Sequence, residues 1–160
     1  MMAAIVASAA YAALAKGTKA PDFTADTVDG KKLTLSDTIK ANKVVVLDIW
    51  ATWCGPCRAE IPHLVALQKK YASKGVTFVG LSVDAGKDEV AEFAKEYKIN
   101  YPLPLDPRGQ KIATKYKIQG VPTAFIIDRK GVIRSVHAGF AGKETVERLE
   151  KDINQILSEK

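Results

Sequence analysis

Residues 50–57 read WATWCGPC and hold both tryptophans and both cysteines of a 160-residue chain. Packing alone does not ask for that concentration, whereas redox chemistry does. Two cysteines separated by two residues are close enough to bond to each other and to exchange that bond with another thiol. The apolar run before them, KVVVLDIW at 43–50, predicts a strand covered on both faces. After them, the spacing of Ile61, Leu64, Val65 and Tyr71 predicts a helix from Cys57 to about Ser73, kinked by Pro62. Cys54 then falls at a helix N-terminus, where unpaired N–H groups and the helix dipole favour a thiolate. It is the expected attacking sulfur. Gly55 allows the tight entry, and Pro56 suits the first turn, because its missing N–H is one the helix leaves unpaired anyway. Cys57, about a turn further in and more buried, is the expected resolving thiol.

Other uses of the pair fit less well. A structural disulfide across two residues closes almost no loop, so it constrains the unfolded chain very little. A zinc site needs further ligands, and only His63 and His137 remain, at no recognisable spacing. A buried pair without chemistry would not need Trp53, Gly55 and Pro56 around it. No metal or separate cofactor is expected; the redox group is the Cys54–Cys57 couple itself.

The elements that position this motif can be read from periodicity. At 160 residues and 47% hydrophobic, the chain is long enough for one core and too short for two ordinary domains. KAPDFTADTVDGKKLTLSD alternates around Asp29-Gly30 and predicts a small β-hairpin ahead of the main core. VTFVGLSVD at 76–84 predicts a second buried strand, KDEVAEFAKEYK at 87–98 a helix, and PRGQKIATKYKI at 107–118 a further helix. TAFIID at 123–128 and VIRSVHA at 132–138 predict two strands joined through Arg129-Lys130-Gly131. An amphipathic helix from about Lys143, burying Val146, Leu149, Ile153 and Ile156, closes the chain. Strands alternating with helices describe an α/β protein with a mixed central sheet flanked by helices.

The formal charge is +6 with a pI near 9.3, but the lysines alternate with Glu and Asp along helical faces. That is a solvated basic surface, and no basic run with interleaved aromatics suggests nucleic-acid binding. Residues 1–15, MMAAIVASAAYAALA, carry no charge and end in an A-x-A-like signature. The stretch is too short to span a bilayer and lacks a basic leader, so it fits an export-signal remnant or a flexible alanine-rich extension. The folded domain is expected over 16–160.

WCGPC after an apolar strand, a helix containing Pro62, and Gly120-Val121-Pro122-Thr123 before TAFIID together resemble the thioredoxin superfamily. The resemblance covers the chain from Lys16 onward and implies a thioredoxin fold. It further implies a cis peptide bond at Val121-Pro122, facing the cysteines, and substrate binding by Trp53, Gly55, Pro56, Val121 and Pro122. The loop backbone would pair with an extended substrate peptide as an added strand. The opening hairpin and an inserted helix-strand segment between LSVD and GVPT resemble the exported, often membrane-tethered TlpA/ResA group. In that group an acidic residue is common three positions after the second cysteine. Glu60 stands there, and as a helical residue it fits a surface charge equally well. Asp48, six positions before Cys54, resembles instead the buried acid of cytoplasmic thioredoxins. Burial in VVVLDIW should raise its pKa and suit it to take the proton that Cys57 loses.

Peroxiredoxins share an APDF-like opening but need Thr and Pro where this chain has Ala51 and Leu47, which disfavours a thiol peroxidase. A copper-delivery protein would bind through Cys54, Cys57 and His137, although such relatives space their cysteines three apart. The resemblance therefore implies a monomeric thiol-disulfide oxidoreductase that reduces protein disulfides. Its expected place is periplasmic or otherwise extracytoplasmic, with a cytoplasmic alternative. Apocytochrome c is a candidate substrate, within cytochrome c biogenesis, and a membrane thiol carrier a candidate electron donor.

Overall fold

The computed structural model describes residues 13–160. Residues 1–12 of the expected export segment lie outside it. The chain folds around β3, Val44–Trp50, whose seven residues are all buried. Full burial follows from its place as an inner strand of a four-stranded sheet with both faces covered. β4 (Val76–Ser82) runs parallel to β3, while β5 (Thr123–Asp128) runs antiparallel to it. β6 (Ile133–Ala138) completes the sheet antiparallel to β5 through the expected turn, where Gly131 supplies a left-handed φ of 77°. The sheet is therefore mixed, as the sequence predicts.

Alternation along β3 divides the core into two layers. Val44, Val46 and Trp50 face a cluster formed by α2 (Gly55–Tyr71), α3 (Lys87–Glu96) and α4 (Lys143–Ser158). Val45, Leu47 and Ile49 face the other layer, which is closed by the hairpin β1–β2 (Thr24–Asp26, Lys32–Thr34) and α1 (Leu35–Ala41). Each such aliphatic side chain, fully buried, contributes roughly 1.5–3 kcal/mol to the fold. Asp48 sits in the midst of this strand, on the layer shared with α2. In α4, Leu149 and Ile153 are buried as expected, while Val146 and Ile156 are half-buried.

Three expectations need correction. The helix predicted over 107–118 is two short 3₁₀ turns, Pro107–Gly109 and Ala113–Tyr116. Arg108 and Gly109 break it with positive φ angles of 60° and 65°. The Asp106 carboxylate also takes the N–H groups of Lys111, Ile112 and Ala113, so the side chain replaces a helical ladder. The inserted strand is an extended run at 102–106, hydrogen-bonded along β4 through Gly80, Ser82 and Asp106 N–H groups. Finally, LSD belongs not to the hairpin but to α1, whose Ser36 N–H is held by Asp22 Oδ1 at 2.9 Å. Ala13 and Leu14 pack against the second layer, and the Leu14 N–H donates to Tyr116 O at 3.2 Å.

Candidate active site

The turn from β3 into α2 carries the cysteines. Cys54 is the N-cap of α2, in extended conformation, and Pro56 occupies the first turn. The helix thus starts two residues before the expected Cys57. Cys54 and Cys57 are joined by a disulfide, with Cα atoms 5.2 Å apart. Cys57 N–H donates to Cys54 Sγ at 3.2 Å, so an unpaired donor of the first turn points at the sulfur expected to attack. Cys54 is 6% exposed and Cys57 1%, an asymmetry that leaves only the first sulfur within reach of a partner. Trp53 next to it is 69% exposed, the large hydrophobic side chain most open to solvent among the described residues.

The loop before β5 closes over the same spot. Val121-Pro122 is cis, and Val121 O lies 3.5 Å from Cys54 Sγ. Trp53, Cys54, Pro56, Gly120 and Val121 line one cleft of about 820 Å³. Gly55 has open space around its Cα, and Pro122 itself is buried beside a second, smaller cleft. Of the six residues expected to bind substrate or to attack, four, Trp53, Cys54, Pro56 and Val121, therefore line the cleft beside the disulfide.

Behind the disulfide the site is acidic and dry. Glu60 follows Cys57 by three residues on the buried face of α2 and is 1% exposed, so its surface-charge reading is corrected. Asp48 is 1% exposed, and neither of its carboxylate oxygens has a hydrogen-bond partner among the described residues. Glu60 Oε2 and Trp50 Nε1 are likewise unpartnered there. Burial pushes the Asp48 carboxyl well above the usual carboxylate range. Burial also raises Glu60, and the neighbouring Asp48 charge raises it further. Both carboxyls therefore hold their protons to higher pH than solvated ones do. The Tyr101 phenol is pushed up by burial and then by these two charges. Gly80, opposite Asp48 in register, permits the crowding: a Cβ there would lie 2.8 Å from Leu103 Cδ2 and 3.0 Å from Trp50 Nε1.

Two features were not read from the sequence. Asp84 accepts from Thr52 N–H and from the Thr52 and Ser82 hydroxyls, tying the end of β4 to the residue before Trp53. The signal was the SVD triplet after the second buried strand. Arg108 lines the cleft from a loop whose backbone is not helical there. His137, the expected third copper ligand, is drawn away from the cysteines, with Nε2 2.8 Å from Asp152 Oδ2. Among the described residues no three His, Cys, Asp or Glu side chains form a cluster able to hold a metal ion.

A mixed sheet carrying an N-capping Cys-Gly-Pro-Cys disulfide opposite a cis-proline loop defines a thioredoxin-fold thiol-disulfide oxidoreductase. Residues 16–136 match the AhpC/TSA family, and the chain belongs to this thioredoxin-like family. It is 39% identical to the thioredoxin-like protein YneN of Bacillus subtilis, over 83% of this chain and 77% of the relative. It is 36% identical to the thiol-disulfide oxidoreductase ResA of Bacillus cereus, over 88% of this chain and 78% of that one. A crystal structure described as a thiol:disulfide interchange protein DsbE of Chlorobium tepidum superposes with a TM-score of 0.83 at 38% identity. That match covers 91% of this chain and 99% of the other. The protein is thus a redox enzyme acting on cysteine-containing proteins.

Proposed function

We propose that the protein works as a reductant of protein disulfides outside the cytoplasm. The reduced Cys54 thiolate attacks one sulfur of a substrate disulfide; that S–S bond breaks, one substrate thiolate leaves, and a mixed disulfide forms. Cys57 then gives up its proton and its sulfur attacks Cys54 Sγ, releasing the second substrate thiolate. The enzyme ends as the Cys54–Cys57 disulfide, having passed two electrons to the substrate, and an external dithiol returns it to the reduced state. No separate cofactor takes part. Asp48 is the base for the Cys57 proton, and protonated Glu60 beside it keeps a second negative charge out of the same dry layer. The exposed Trp53 and the Val121 carbonyl flank an incoming peptide, which pairs with the loop ending at Pro122.

The observation that carries this reading is the asymmetry of the two sulfurs, one at the cleft and helix N-terminus and the other sealed over two acids. The reducing direction is supported by the Gly-Pro dipeptide, which thioredoxin shares at a potential of about −270 mV. An exported protein such as an apocytochrome c is the substrate class that the ResA likeness favours, in cytochrome c biogenesis. A membrane thiol-disulfide carrier would supply the electrons, and the enzyme acts as a monomer. No helix among the described residues is long and apolar enough to cross a membrane.

Cysteine trapping tests the division of labour. Cys57→Ser accumulates mixed disulfides with an oxidised protein substrate, whereas Cys54→Ser accumulates almost none, and alkylation of the reduced protein marks Cys54 first. Preferential labelling of Cys57 would reverse the assignment. Equilibration of the couple with glutathione and with thioredoxin fixes its direction.

A further inference from the structure

The cleft beside Cys54 is lined mainly by apolar groups, among them Val83, Ala85, Ala113 and Ile118. Among the residues that line it, Arg108 is the charged one. Its side chain is exposed and makes no ion pair with a carboxylate of the described residues. Two acids lie near its backbone, Asp106 two residues earlier and Asp84, whose backbone O accepts from Arg108 N–H, but each carboxylate is buried and occupied. Asp106 accepts three backbone N–H groups, and Asp84 holds Thr52 and Ser82. The cleft is left with an uncompensated positive charge.

Arg108 is also held in place. Its backbone is left-handed, φ 60° and ψ 14°, a conformation that non-glycine residues seldom adopt. The loop is locked there by Gly109 N–H on Asp106 O at 2.7 Å and Arg108 N–H on Asp84 O at 3.4 Å. The same Asp84 grips Thr52 through its carboxylate. One residue therefore anchors both the backbone from which the Arg108 side chain extends and the turn that presents Cys54.

We infer that Arg108 is a specificity residue, and that the cleft selects protein substrates with a carboxylate side chain close in sequence to the cysteine under attack. The inference rests on the disulfide-reductase reading. A peptide laid across the cleft puts its cysteine sulfur on Cys54 and apolar neighbours against Trp53 and Ile118, while an acidic side chain two or three positions away meets the guanidinium. Arg suits this task because its planar fork binds a carboxylate through two parallel hydrogen bonds.

The test uses the full-length protein, reduced beforehand, in single-turnover oxidation by two-cysteine peptides closed as internal disulfides. The peptides are identical except for Glu, Gln or Lys three positions from the attacked cysteine. At 150 mM salt the Glu peptide oxidises the protein about tenfold faster than the Gln peptide, the equivalent of one charge-assisted pair, and the Lys peptide is slowest. Arg108→Gln brings the Glu and Gln peptides to equal rates, and Arg108→Glu puts the Lys peptide first. Lys151→Glu, the same charge change on the exposed face of α4, keeps the parental order. Equal rates for all three peptides with the parent would overturn the inference and leave the reductase reading standing. A shift by Lys151→Glu as large as that by Arg108→Glu would also overturn it, because the preference would then belong to the net charge. Oxidation by glutathione disulfide as fast as by the Glu peptide would show that the cleft serves a small thiol, contrary to the inference. If no peptide oxidises the protein at all, the reductase reading fails, and the inference with it.

Discussion

Two pairs of buried carboxylates lie within this small domain, and they are treated in opposite ways. Asp84 and Asp106 are 5% and 1% exposed, and each is surrounded by donors, three backbone N–H groups on Asp106 alone. Asp48 and Glu60 are each 1% exposed, yet both oxygens of the first and one of the second lack any partner among the described residues. A carboxylate with donors on every side organises backbone, and its desolvation is offset where it sits. One without donors is costly to ionise, and that cost is what makes its proton available near neutral pH. The contrast separates acids that organise the rim of the cleft from acids left without donors in the buried layer behind it.

The comparison breaks most visibly when a donor-rich acid is removed. Asp106→Ala leaves three buried or half-buried N–H groups without their acceptor and frees the loop that carries Arg108. The expected loss is about 4 kcal/mol, judged from the cost of orphaned buried donors and broken charge-assisted bonds. Denaturant unfolding of the oxidised protein measures it. A loss below about 1 kcal/mol would mean that the 107–116 segment draws its order from elsewhere, and the two pairs would no longer differ in kind.

This difference also explains what could be read in the sequence. The cysteine pair, its helix N-terminus and the mixed sheet were legible because each is signalled locally, by an apolar run, a tight Gly-Pro entry and a 3.6-residue period. The segment 107–118 was misread because its apolar spacing is helical, whereas the Asp106 side chain takes the hydrogen bonds a helix would use. α1 was missed for a related reason: its first-turn acceptor, Asp22, comes fourteen residues earlier. The burial of Glu60 turned on phase. Reading the α2 face from Ile61, Leu64 and Val65 leaves Glu60 at its edge, but the buried set runs Cys57, Glu60, Ile61, Leu64, Leu67, Gln68, Tyr71, with Val65 at the margin. That rotation puts Glu60 on the buried face of α2 with Cys57.

A second measurement sharpens the comparison on the donor-free side. Asp48→Asn keeps the shape of the group and removes its capacity to take a proton, so release of a trapped substrate by Cys57 should slow by about 10²-fold, the usual worth of a general base. In the parent the release rate climbs with pH as Asp48 ionises, and in the variant that limb is absent. Stopped-flow resolution of a preformed mixed disulfide across pH reports both. Asp84 lies outside this chemistry, and if Asp48→Asn resolves at the parental rate the two pairs are chemically alike.

The smallest effect is on stability and has a definite sign. Asp48 and Glu60 have ordinary values of 3.8 and 4.5, and in the folded protein both are raised, Asp48 by burial and Glu60 by burial and then by Asp48. Below those ordinary values both states of the chain hold the protons, and the groups impose no electrostatic penalty. As pH rises, the unfolded chain releases its protons first while the folded protein still holds them, so stability falls progressively until the folded pair ionises too. Each unit of raised pKa is worth about 1.4 kcal/mol, and the protonated acid and an amide are close in shape and polarity. The oxidised Asp48→Asn protein should therefore match the parent near pH 4 and exceed it by about 1 kcal/mol or more at pH 7–8. The oxidised form is the right one to melt, because its disulfide removes the cysteines from the titration. Glu60→Gln should show the same divergence, and the double variant less than the sum of the two. Removing either charge relieves the other member, a coupling expected of acids that share one dry layer. Parallel stability curves for parent and variants from pH 4 to 8 would mean that the folded carboxyls titrate as they do in the unfolded chain. Such acids would be solvated like surface groups, and Cys57 would have to lose its proton directly to water.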